Sequence, residues 1–81
     1  MLEKEDVVLC TEKHDGKYEI INKFGIIKKV GNSLSCILFF DYVGGHDEVG
    51  EQGHCWWVDN RKLIKINNIK GVGLNEKGIR L

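Results

Sequence analysis

His46, Asp47, His54 and Cys55 fall within one ten-residue stretch, and all four side-chain types can ligate a metal or move a proton. Zinc takes His, Cys and Asp ligands in tetrahedral geometry. The spacing suits it poorly: no Cys-x-x-Cys occurs, and strand neighbours such as His54 and Cys55 point to opposite faces. Only His46, Asp47 and one member of that pair converge easily. Cys55 with His46 would make a nucleophile and its base, but the sequence shows no third orienting group and no oxyanion site. Gly44-Gly45 could form a backbone nest for an anion, yet Asp47 and Glu48 would repel a phosphate. A Walker loop, a dinucleotide fingerprint and a paired-carboxylate arrangement are all missing.

The same stretch is more telling as a recognition surface. Residues 43–58 hold Gly44, Gly45, Gly50 and Gly53, both tryptophans (Trp56, Trp57), and the acids Asp47, Glu48 and Glu51, with no Lys or Arg. Glycine lets backbone approach a neighbour closely, and aromatic rings give contact area at low entropy cost. An acidic glycine loop therefore runs directly into an aromatic strand. Trp56 and Trp57 must point to opposite faces of it. Trp57 shares a face with Cys55, a residue type usually buried, so Trp57 is expected in the core and Trp56 at the surface. Gly44, Gly45, His46, Asp47, His54 and Trp56 are the candidate binding residues.

The positioning elements read as short strands. Val7–Cys10 is an apolar β-type run. Residues 11–16 are turn-like, and 17–24 read equally as a short helix, a loop or an irregular strand. Residues 25–30 and 34–42 form a hairpin across Gly31-Asn32-Ser33. After the glycine loop come a strand over 54–58, a turn over 59–63 and a closing strand over 64–66. Residues 67–81 are a basic, glycine-containing C-terminal extension that reads either as a further hairpin around Asn75-Glu76-Lys77-Gly78 or as a mobile tail. The expected fold is all-β: a small, partly open barrel of about five short strands over 1–66. The strand order resembles Src homology 3-like (SH3-like) barrels. The expected core is Val8, Ile26, Val30, Cys36, Leu38, Phe40, Trp57 and Leu63.

Eighty-one residues, with twelve basic and twelve acidic, make one neutral domain without a global pull toward nucleic acid or membrane. The charge is uneven. Residues 1–20 carry six acids against three lysines, whereas residues 60–81 carry six basic groups against Glu76. Cys10, Cys36 and Cys55 are an odd set, two of them in apolar runs, which suits a reduced, cytoplasmic chain without disulfides. The longest apolar run is too short to span a bilayer.

Residues 25–66 resemble small proteins of bacteriophages and their bacterial hosts. The resemblance rests on Gly25-Ile26-Ile27, Phe40-Asp41, Gly44-Gly45-His46-Asp47 and Gly53-His54-Cys55-Trp56-Trp57-Val58, and covers about half the chain. It implies the fold and a phage-like origin, without an assigned activity. The layout also resembles glycine-rich cytoskeleton-associated (CAP-Gly) domains, whose loop after a strand ending in Asp holds acidic peptide ends. Gly45-His46-Asp47-Glu48 stands at that place, lacking the family's lysine, asparagine and following glycine. The resulting expectation is a non-catalytic phage-type binding module, with no metal or cofactor. It would contact a host protein, such as a defence or regulatory factor, or a small ligand through residues 43–57. The alternatives are a nucleic-acid-binding barrel using Lys65, Lys70, Lys77 and Arg80, and a zinc-binding module.

Overall fold

A computed structural model describes residues 1–50 and 52–66, together with the backbone of the strand residues 74–75 and 78–79. The chain is all-β. Strands β1 (Val7–Cys10), β2 (Lys23–Val30), β3 (Leu34–Phe39), β4 (Cys55–Asp59) and β5 (Leu63–Lys65) form one sheet in the order β4-β3-β2-β1-β5. Every pairing in it is antiparallel. The first and last strands are therefore neighbours, as an SH3-like small barrel requires. Strands β6 (Leu74–Asn75) and β7 (Gly78–Ile79) pair separately as the expected C-terminal hairpin, with Leu74 opposite Ile79. Among the described residues no helix is long and apolar enough to cross a membrane.

The ambiguous segment before the hairpin resolves into a single 3-10 turn, Tyr18–Ile20, which drops Ile20 into the core. Gly25 lies inside β2, where a Cβ would stand 2.6 Å from Ile37 Cγ2 and 2.8 Å from the Leu38 carbonyl oxygen. A bulge at Lys28 shifts the β2–β3 register between Ile27 and Lys29, and such bulges bend a strand and raise its twist. The turn before β5 is a 3-10 turn over Asn60–Lys62, capped by the Asp59 side chain, which accepts from the Arg61 amide at 2.8 Å. Asn60 binds this turn to the hairpin tip. Its Nδ2 donates to the Gly31 carbonyl at 3.0 Å, and its Oδ1 accepts from the buried Ser35 hydroxyl at 2.6 Å.

The main core consists of Val8, Cys10, Ile20, Ile27, Ile37, Phe39, Val43, Val58 and Leu63, with Leu2 and Trp56 packed against it. This corrects the expected hairpin face. Val8, Cys36 and Leu63 are buried as expected, but Val30 and Phe40 are 47% and 52% exposed, and Ile26, Leu38 and Trp57 are half-buried. Ile27, Ile37 and Phe39 point inward instead. Alternation could not reveal this, because β3 is apolar at both parities. Its second face, carrying Cys36 and Leu38, is also covered, by the glycine loop.

Candidate functional site

The 43–53 segment leaves β3 and folds back over the edge of β4. Val43 anchors its start in the core. The Val43 and Gly45 amides donate to the Gly53 carbonyl at 3.1 and 2.8 Å. His46 then pairs with Cys55 as a short antiparallel bridge, His46 N–H donating at 2.6 Å and Cys55 N–H at 3.3 Å. Gly45 is required for this approach, since a Cβ there would fall on the Cys55 carbonyl oxygen. Asp47 closes the far turn by accepting from the Gly53 amide at 3.1 Å.

Beyond that bridge the loop covers the outer face of β3 and β4. Glu48 accepts from Trp57 Nε1 at 2.9 Å and from the Lys29 ammonium at 2.7 Å. Those two donors hold its carboxyl below the usual range, and Glu48 in turn raises Lys29. The Val49 carbonyl accepts from the Cys55 thiol, and Gly50 packs onto the Leu38 methyl groups. Cys36 is enclosed on this face. Burial, with the Cys55 thiol and Glu48 beside it, pushes the Cys36 thiol up to about 11. Trp57 thus shares the Cys55 face as expected, but that face is a second, loop-covered layer and not the main core.

Trp56 lies on the other face, against the core and partly exposed. Its indole is fixed on several sides. Nε1 donates to the His14 carbonyl at 2.9 Å. The His46 imidazole stacks on the ring, with centroids 4.7 Å apart and planes 7° from parallel. The Lys17 ammonium stands 4.7 Å from the ring centroid and donates to the Gly44 carbonyl at 2.9 Å. Nearby, Tyr42 is 71% exposed and packs edge-on to His54 at 5.9 Å, backed by Gly53. His54 Nδ1 lies 2.8 Å from the Phe39 carbonyl. Tyr18, 62% exposed, carries the Lys13 ammonium 5.3 Å from its ring.

The structure therefore brings Gly44, Gly45, His46 and Trp56 together, while Asp47 closes the loop and His54 supports Tyr42. Lys17, His14 and Tyr42 belong to the cluster and escape sequence reasoning. Lys17 reaches Gly44 across 27 positions and His14 reaches Trp56 across 42, so no local spacing signals either. Tyr42 was legible only as the last aromatic of the β3 run.

Among the described residues no group of three His, Cys, Asp or Glu side chains is placed to hold a metal ion. His46 turns to Trp56 while the Cys55 thiol turns to Val49 on the opposite face, so the two do not form a nucleophile–base pair. Of the basic C-terminal residues, Lys65 pairs with Asp6 at 3.3 Å and Arg61 with Asp59 at 2.8 Å. Lys70, Lys77 and Arg80 lie outside the described residues. No family model, curated protein or solved structure matches the chain.

Proposed function

We propose that this chain is a non-catalytic binding module of phage type that contacts a host protein through the surface built by residues 42–57. The observation that carries this is Trp56. Its ring is held by His14, His46 and Lys17 before any partner arrives, yet it stays partly exposed, and the exposed Tyr42 ring borders Gly44 together with Lys17. Preorganised aromatic anchors lose little entropy on association and are over-represented among residues that dominate binding energy. The phage assignment rests on the Gly-Gly-His-Asp and Gly-His-Cys-Trp-Trp-Val motifs.

Differential capture from host lysate tests the proposal. Wild type and a Tyr42→Ala/His46→Ala variant are compared at matched melting temperature. A partner lost about tenfold or more in the variant supports the site, since one such anchor is typically worth at least that factor. Equal capture by both would remove the function from this surface. Salt separates the nucleic-acid alternative, because phosphate contacts weaken steeply as salt rises.

A further inference from the structure

The contacts of Lys17 describe a receptor for a cation. Its ammonium stands 4.7 Å from the centroid of the Trp56 ring, on which His46 also stacks, and it donates to the Gly44 carbonyl at 2.9 Å. A Cβ built on Gly44 would stand 3.6 Å from Lys17 Nζ and 4.0 Å from Tyr42 Cε2, so the tyrosine ring borders the same space. An indole face, a carbonyl oxygen and a neighbouring phenol are the groups that recognise an ammonium or guanidinium. Lys17 itself is a long, surface-held side chain, and its hydrogen bond to Gly44 is solvent-exposed. Such a contact is exchangeable.

We infer that the Trp56–Gly44–Tyr42 cluster is a binding site for a basic side chain of the partner, and that Lys17 fills it in cis until a lysine- or arginine-bearing segment displaces it. This deepens the binding reading above and rests on it. It also makes Lys17 a competitor of the partner. A cis cation–π contact of ordinary surface strength leaves the site empty only a fraction of the time, and apparent affinity falls by that fraction. Removing Lys17 should therefore tighten binding by roughly three- to sixfold.

The test uses a hexalysine peptide and a hexaglutamate peptide as probes at low salt. The reporter is the Trp56 indole resonance, assigned with Trp57→Phe. Hexalysine should shift that resonance in the wild type, and both Lys17→Ala and Lys17→Gln should bind it about three- to sixfold tighter. Lys13→Gln removes an equal charge nearby while leaving Trp56 covered, and should produce less than half that gain. The inference is overturned by unchanged or weaker hexalysine binding in the Lys17 variants. An equal gain from Lys13→Gln, no response to hexalysine, or unfolding of both Lys17 variants would also overturn it. Hexaglutamate binding that disappears with Lys17 would overturn it too, and would make Lys17 an anion contact. None of these results touches the Tyr42/His46 capture experiment, so the two readings fail separately.

Discussion

Replacing Gly45 by alanine probes the contact on which the whole site depends. Gly45 is not among the glycines with positive φ, so an alanine there meets no backbone penalty of that kind. The obstacle is steric: its Cβ would clash with the Cys55 carbonyl oxygen. The loop must then lift from β4, breaking both hydrogen bonds of the His46–Cys55 bridge. At roughly 0.5–1.5 kcal/mol net for each bond, the loss is about 1–3 kcal/mol. In a domain of this size that lowers Tm by roughly 5–20 °C. Gly16→Ala is the matched control. Gly16 has φ +76° with open space around it, so its cost of about 1–2 kcal/mol comes from left-handed backbone alone. Thermal melts followed by circular dichroism give the stability, and amide exchange at Cys55 gives the local effect. Gly45→Ala should expose the Cys55 amide, whereas Gly16→Ala should leave it protected. A Gly45→Ala protein within about 0.5 kcal/mol of wild type, the scale of a neutral surface change, and with Cys55 still protected, would refute the docked loop.

Three further outcomes follow from the packing and the charges. Ile37→Ala should cost about 2–5 kcal/mol in chemical denaturation and Phe40→Ala less than about 1, because only the first leaves a core cavity; the reverse order would show the hairpin facing the other way. Cys10, Cys36 and Cys55 are all buried, and burial raises the Cys10 and Cys36 thiols, so a thiol-specific disulfide reagent should label none of them faster than the protein opens; rapid labelling of one in native buffer would contradict this. Asp59 is held well below its ordinary 3.8 by Arg61, and Glu48 below 4.5 by Lys29 and Trp57. Folded-state values that are depressed contribute stability that is complete above the unfolded values and lost as pH falls through the folded ones. Melting temperature should hold down to about pH 5 and fall below it, with Asp59→Asn showing a shallower fall; an equally steep fall in the variant would remove Asp59 from the account.

The strand inventory was legible because it is local. Val7–Cys10, the Gly31-Asn32-Ser33 turn and the apolar runs around it carry their own β and turn signals, and they fix an all-β chain with a hairpin at its centre. The facing of that hairpin was not legible. Leu34 to Phe40 offers apolar side chains at both parities, so periodicity cannot say whether Ile37 and Phe39 or Leu38 and Phe40 enter the core. The bulge at Lys28 reverses parity partway along β2, and nothing in Ile26-Ile27-Lys28-Lys29 marks it. Trp56 and Trp57 were separable onto two faces, yet which face meets the main core depended on the pairing of Ile37 with Trp56.

The candidate site divides in the same way. Sequence alone determined that residues 43–58 concentrate glycine, histidine, acid and tryptophan, and therefore where a contact surface would form. Tertiary structure decided what that surface is. Lys17 and His14 reach Trp56 from a loop about forty residues upstream, and they do so because β1 and β4 belong to one sheet. Side-chain type and spacing are properties of the chain, and short-range pattern reports them. Contacts across such separations arise only when a sheet closes and buries one choice of face, and that choice is made by the packing energy of the whole core.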